Sequence, residues 1–219
     1  MAYHIILASG SPRRYEILKA HGVEPVVIPP DVDESLPAGM DESDPEAVVC
    51  YLSRVKAYAV LSRITSGEFA AHPESLPDVL LASDTLVYNE EIIGKPVDED
   101  DAFRILASYR NKTHEVWSGV TLLARSTGAE DTFAVRTRLT LGDYGDDEIR
   151  DYVRREKPYD KSGAYAIQSS FGKNVTAREG DFENVIGLPW PAVREHLMRL
   201  TSCAIPDTGP KYAANSPQG

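Results

Sequence analysis

The run Val79–Val87 constrains this chain more than any other segment. It has the apolar character of a buried strand, yet Ser83-Asp84-Thr85 interrupts it. A carboxylate embedded in such a strand is costly unless it is paired, protonated or bound to a metal ion. Acids placed this way sit where a strand meets a cleft, or else turn to solvent at a strand end. Apolar residues resume beyond Asp84, which favours the cleft.

Strands and helices alternate around this run. Tyr3–Ala8 reads as a short strand, and Ser11-Pro12 then opens a helix that ends near Gly22. Val26–Ile28 reads as a second strand, followed by an acidic segment from Asp31 to Asp44. Asp44-Pro45 starts a longer helix in which Val48, Leu52, Val55 and Ala59 recur at helical spacing. Ser66–Asp78 reads as an exposed loop. Asp98–Tyr109 is helical in pattern, and Glu115–Ala124 and Thr132–Leu141 flank a Ser-Thr-Gly turn as a hairpin. Asp146–Arg155 is a short charged helix, Gly180–Gly187 a turn-rich passage, and Pro191–Leu200 a closing helix. The expected class is α/β with a mixed sheet that has an antiparallel portion, flanked by helices. Residues 1–205 form one domain with two lobes, and 206–219 a loose tail.

With 23 Lys and Arg against 34 Asp and Glu, the net charge is −11. Nucleic-acid binders draw most of their affinity from phosphate neutralisation, so an acidic chain without a basic run is not expected to bind the polymer. No stretch approaches the roughly 20 apolar residues of a membrane span, so no membrane partner is expected. The charges near the N-terminus follow the apolar run, the reverse of a secretory signal. Two cysteines, Cys50 and Cys203, form no framework, which points to the cytoplasm. Cys50 lies on an apolar-patterned helix and reads as core.

Several further groups could carry chemistry. Ser9-Gly10-Ser11-Pro12-Arg13-Arg14 joins a strand to a helix N-terminus, where free N–H groups attract anions. Arg13 and Arg14 oppose the helix dipole there; they either meet phosphate oxygens or pair with surface carboxylates. Gly94-Lys95-Pro96 presents one ammonium group on a turn, either to a ligand or to solvent. Tyr159–Gln168 combines Lys161 with small and aromatic residues and ends on an amide; Gln168 could read a base edge or cap a strand. Asp31, Asp33 and Glu34 either hold Mg²⁺ beside substrate phosphates or form a solvated acidic loop. The histidines show no metal-ligand spacing, and Trp117 and Trp190 read as packing residues. Dispersed cations with candidate metal carboxylates suit a small phosphorylated substrate better than a polymer.

LASGSPRRYEIL at Leu7–Leu18, ASDTLV at Ala82–Val87, GKP at Gly94–Pro96, YDKSGAYAIQ at Tyr159–Gln168 and NVIGLP at Asn184–Pro189 stand in one order. Together they resemble the Maf family of nucleoside triphosphate pyrophosphatases, over roughly Ile5 to Leu200. The resemblance implies an α/β fold with a central mixed, strongly twisted sheet, two lobes around a cleft, and often a homodimer. It implies hydrolysis of a nucleoside triphosphate to the monophosphate and pyrophosphate with Mg²⁺ or Mn²⁺. Thr85 and Gln168 point to the dTTP/UTP branch, a house-cleaning activity that could extend to modified pyrimidines. The alternative is a non-hydrolysing nucleotide-binding regulator of septum formation. Position by position, Asp84 becomes the catalytic acid/base, and Arg13, Thr85 and Gln168 bear on base choice. Ser9, Arg14, Lys56, Lys95 and Lys161 line the triphosphate. Asp33, Glu34 and Asp84 become the metal carboxylates. Lys56 is assigned by the resemblance alone, since its helix looks ordinarily amphipathic. Ser162 and Ala166 depart from the family's usual Ala and Gly.

Overall fold

A computed structural model describes residues 4–69 and 76–201. The expected tail at 206–219 lies outside the described residues, as does part of the expected loop at 66–78. Among these residues seven strands form one mixed sheet: β1 (Ile5–Ala8), β2 (Val26–Val27), β3 (Val79–Asn89), β4 (Glu91–Ile93), β5 (Thr113–Ala124), β6 (Ala129–Leu141) and β7 (Val175–Glu179). The order is β2-β1-β3-β5-β6-β7, and β4 also pairs with β3. β1 runs parallel to β2 and β3, and all the other pairings are antiparallel. The mixed sheet and the β5–β6 hairpin match the sequence reading. β4 and β7 do not appear in it, because one is three residues long and the other is almost wholly exposed and polar.

One detail of pairing makes room for a site. β5 follows β3 along Val79–Tyr88 on one edge. On the other edge β1 reaches only Ala82, and β4 begins at Val87. Ser83 to Leu86 therefore face a gap between two strand ends, and Asp84 and Thr85 lie in that gap.

Among the described residues six α-helices cover the sheet: α1 (Pro12–Ala20), α2 (Pro45–Thr65), α3 (Glu99–Ser108), α4 (Asp146–Glu156), α5 (Phe182–Ile186) and α6 (Trp190–Thr201). α5 occupies the passage expected to consist of turns. Its flanking glycines hide a single helical turn capped by the Asp181 carboxylate on the Glu183 N–H. Successive β3 side chains alternate between faces. Leu80 and Ala82 pack with Ala57, Val60 and Ile64 of α2, and Leu86 with Val48 and Val49. Val79 and Leu81 join Ile17, Leu18, Val193 and Leu197 from α1 and α6 on the opposite face. Val87 belongs with Ile105, Leu106, Ile149 and Tyr152 of α3 and α4.

The buried side of α2 differs from the stripe expected. Of the expected stripe Val48 is buried, but Leu52, Val55 and Ala59 are only half-buried, and Val49, Ser53, Lys56, Ala57, Val60 and Ile64 complete the buried side. The rotation follows from the sheet beneath. A Cβ on Gly119 of β5 would lie 2.1 Å from the Val49 carbonyl oxygen, so backbone meets backbone there. The Ser53 hydroxyl satisfies itself against Thr121 Oγ1 at 2.8 Å. Helix α2 is thereby seated with Lys56 pointing into the sheet.

Candidate active site

Asp84 lies opposite Gly119 in the β3–β5 register and shares the α2 face of the sheet. Lys56 Nζ donates to its Oδ1 at 2.5 Å, and the same ammonium meets Glu34 Oε2 at 2.8 Å. The Lys56 and Asp84 side chains are only 10% and 12% exposed. The strand carboxylate is therefore paired, one of the three outcomes that its burial permits. Glu34 arrives from the acidic segment, which has no regular structure and is tied down where Leu36 and Met40 pack against the Val48–Leu86 cluster. Asp33, the neighbouring candidate, is turned aside: its Oδ1 accepts from the Ser35 N–H at 2.9 Å and the Ser35 hydroxyl at 2.6 Å. That bonding holds its carboxyl below the usual range.

Thr85 points to the other face, where Arg14 lies. Arg14 Nε donates to the Gly187 carbonyl at 2.8 Å, Nη1 to Ser9 Oγ at 3.1 Å and Nη2 to Thr85 Oγ1 at 3.1 Å. All three acceptors are neutral. Burial pulls the guanidinium pKa down and the Asp84 charge opposes the pull; arginine remains charged in either case. Ser9 is buried at the end of β1, where it also accepts from the Ser11 N–H at 3.1 Å. Ser11 itself occupies the N-cap position of α1 without a side-chain cap bond.

The gap in β3 opens into a cleft of about 450 Å³, lined by Arg13, Arg14, Glu34, Lys56, Asp84, Thr85, Lys95, Lys161 and Gln168 among others. Two loops form its far wall. The Gly163 N–H donates to the Gly94 carbonyl at 3.0 Å, so the loop bearing Lys95 carries the loop bearing Lys161 and Gln168. Gly163 has φ +73°, and a Cβ there would approach Val87 Cγ2 to 2.7 Å, so this junction needs glycine. Lys95, Arg13 and Gln168 are exposed, and Lys161 pairs with Asp160 at 2.6 Å. Behind the wall, Tyr165 OH meets His114 Nε2 at 3.1 Å, and Tyr109 stacks on the same imidazole with ring centroids 4.3 Å apart. Burial lowers the His114 pKa to about 4, so it is neutral near pH 7.

The structure thus gathers the candidate residues around one cleft except Ser9, Asp31 and Asp33, and Ser9 lies behind Arg14. Sequence reading did not single out Gly119. The available signal was a glycine inside a β-type stretch, which marks close backbone approach. Cys50 is half-buried, and burial pushes its thiol up to about 11, which does not suit a nucleophile.

Among the described residues no three Asp, Glu, His or Cys side chains gather as a metal cluster. Two carboxylates, from Asp84 and Glu34, already face a single cation, the Lys56 ammonium. This donor set fits Mg²⁺ or Mn²⁺ held by one or two carboxylates together with substrate phosphates.

The chain is similar to known proteins over almost its whole length. A family model described as Maf-like protein matches residues 4–200. A dTTP/UTP pyrophosphatase of Lachnoclostridium phytofermentans is 37% identical over 191 residues, covering 85% of this chain and 90% of its own. One from Agathobacter rectalis is 40% identical over 203 residues, covering 90% and 97%. Another, from Geotalea uraniireducens, is 40% identical over 198 residues, covering 90% and 95%.

Proposed function

Since the chain belongs to the Maf-like family, we propose that it is a nucleoside triphosphate pyrophosphatase that hydrolyses dTTP and UTP to the monophosphate and pyrophosphate. The observation that carries this reading is Asp84, a buried strand carboxylate held by Lys56 at 2.5 Å and open to a cleft rimmed with cations. We read residues 1–205 as the working unit and the cytoplasm as its location.

The reaction is attack of water on the α-phosphorus with cleavage of the α–β anhydride and departure of pyrophosphate. Lys56 holds Asp84 Oδ1, which leaves Oδ2 to take the proton from water. Arg14, Lys95 and Lys161 stabilise charge that grows on the pyrophosphate leaving group. Arg13, Thr85 and Gln168, all lining the cleft, are assigned to base choice. Asp84 and Glu34 would hold a divalent cation, which when bound supplies charge neutralisation at the phosphates. On a chain whose net charge is −11, these cations act locally, gathered in one cleft of an otherwise acidic protein.

Incubation with UTP or dTTP and Mn²⁺ or Mg²⁺ tests the reading, with UMP or dTMP and pyrophosphate as expected products. Orthophosphate alone, or no turnover, overturns it. In Asp84→Asn, UTP binding should persist while turnover falls at least about a thousandfold. A parent protein that binds UTP and never hydrolyses it would instead be a nucleotide-binding regulator.

A further inference from the structure

The loop that carries Lys161 and Gln168 bends through two successive residues in the left-handed region, Gly163 at φ +73° and Ala164 at φ +63°. Alanine takes that conformation only under strain, and strain of this kind persists where the surroundings hold it. Two pins hold this loop. One is the Gly163 N–H on the Gly94 carbonyl at 3.0 Å, on the side of the two lysines. The other comes directly after the bend, where the Tyr165 hydroxyl meets His114 Nε2 at 3.1 Å and both residues are buried. His114 belongs to β5, which lies between β3 and β6, so this pin ends on the middle of the sheet. The Tyr109 ring stacks on the imidazole and meets the Tyr165 ring edge-on.

Counting hydrogens settles the direction of the second pin. Burial keeps Tyr165 protonated and His114 neutral, so there is one O–H and one imidazole N–H to place. His114 Nδ1 has no partner among the described residues. A hydrogen on Nε2 would leave both Nδ1 and the tyrosine hydrogen unsatisfied. A hydrogen on Nδ1 leaves only that group over and lets the Tyr165 O–H donate to Nε2, which is the cheaper arrangement.

Gln168 follows Tyr165 in the wall of the cleft and is exposed, so its backbone sets where its amide stands. Beyond it the chain is fixed as well. The Ser169 N–H donates to the Ala166 carbonyl at 2.9 Å, and a Cβ on Gly172 would lie 1.9 Å from the Ile167 carbonyl oxygen. Placement decides what such an amide can read. Uracil offers an acceptor at O4 and a donor at N3, and cytosine offers the reverse. A side-chain amide has both a donor and an acceptor and can turn over to serve either base. Discrimination therefore requires the amide to be held in one place.

We propose that His114 and Tyr165 are positioning residues that hold the Gln168 end of the loop so that its amide favours uracil over cytosine, while the Gly94 pin serves the lysines separately. This rests on the pyrophosphatase reading, in which Gln168 bears on base choice. Tyr165→Phe removes the hydroxyl and keeps every ring contact. His114→Gln keeps an acceptor near the position of Nε2, whereas His114→Asn is one carbon too short to do so; both lose the ring.

The measurements are kcat and KM for UTP and CTP, and the Kd of UMP, CMP and inorganic tripolyphosphate by calorimetry. Tyr165→Phe and His114→Asn should each lower the preference for UTP over CTP, and for UMP over CMP, by about fivefold, the size of one net hydrogen bond. The loss should fall on KM, because Asp84 and Lys56 stand on other elements. Tripolyphosphate affinity should equal the parent's, and His114→Gln should keep the parent's preference. An unchanged preference in Tyr165→Phe overturns the proposal. Weakened tripolyphosphate binding in Tyr165→Phe also overturns it, since the whole loop would then have moved, and so does a His114→Gln protein that behaves as His114→Asn. Melting temperatures identify a His114 variant that is merely unfolded, in which case Tyr165→Phe decides alone. A parent that prefers UMP to CMP without hydrolysing UTP would sink the pyrophosphatase reading alone, and one that hydrolyses UTP and CTP equally would sink this proposal alone.

Discussion

Replacing Gly119 with alanine drives a methyl group into the backbone of α2. The added carbon would lie 2.1 Å from the Val49 carbonyl oxygen, 2.3 Å from its carbon and 2.8 Å from the Cys50 nitrogen. A carbon–oxygen contact needs about 3.3 Å, so roughly 1.2 Å of separation must be found. Nothing at the contact is a flexible side-chain tip; both partners are backbone, and the helix has to lift. Lys56 rides on that helix two turns further on, bonded to Asp84 Oδ1 at 2.5 Å. The full displacement would stretch that bond to about 3.7 Å, beyond good geometry. Overpacking costs about 1–3 kcal/mol, and a backbone-to-backbone clash belongs at the upper end. About 3 kcal/mol lowers Tm by roughly 6–12 °C in a chain of this size. Misplacing catalytic groups by about 1 Å reduces kcat by up to ~100-fold. Calorimetry and steady-state UTP hydrolysis on Gly119→Ala read both effects. Gly142→Ala is the control, because its new carbon would crowd a side-chain methyl, Thr176 Cγ2 at 2.9 Å, which can turn away, and would meet the Asn174 carbonyl oxygen at an ordinary 3.9 Å. A Gly119→Ala protein with the parent's Tm and kcat refutes the argument. A lower Tm with unchanged kcat refutes the link from helix seat to site.

Three further outcomes are expected. Lys56→Met leaves Asp84 and Glu34 without their shared cation and should cost about 3 kcal/mol. Adding Asp84→Asn should restore part of that stability and none of the activity, as denaturant melts and a pyrophosphate assay will read. His114 binds its proton in the folded protein only near pH 4, against 6.5 ordinarily. The unfolded chain binds more protons between those values, so stability is fully present above about pH 6.5 and is lost as pH falls through 4. His114→Gln should flatten that acid limb in a Tm-against-pH series. Gly187 has φ +125° and its carbonyl holds Arg14; Gly187→Ala should raise the KM for UTP by about tenfold with a smaller change in kcat.

Asp84 was legible in the sequence because an acid inside an apolar strand has few ways to exist. The turn at Ser9–Arg14 stood out because glycine, proline and two arginines are unusual together at a helix start. Lys56 was not, and the reason is physical. The face of α2 that meets the sheet includes Ser53 and Lys56, whose polarity is satisfied by Thr121, Asp84 and Glu34 from distant segments. The expected stripe is buried at Val48 but only partly covered at Leu52, Val55 and Ala59, so periodicity pointed away from the side that carries Lys56. β7 pairs at the sheet margin with a mostly polar sequence, a case in which hydrophobic pattern is silent.

The Arg14–Gly187 bond joins residues 173 positions apart, and Lys56–Asp84 bridges only 28. The two halves of the site therefore belong to different stages of folding. Contacts between remote segments close late, because their loop entropy must be overcome first. The acid and its lysine can form as soon as α2 docks on β3, but the arginine has no cradle until α5 has left the ribosome. In a refolding experiment that follows pyrophosphate release alongside helix signal, catalysis should emerge only in the final phase. Nascent chains ending before residue 187 should carry a paired Asp84 and hydrolyse nothing. A growing chain would thus be unable to consume nucleotides before Gly187 has been made.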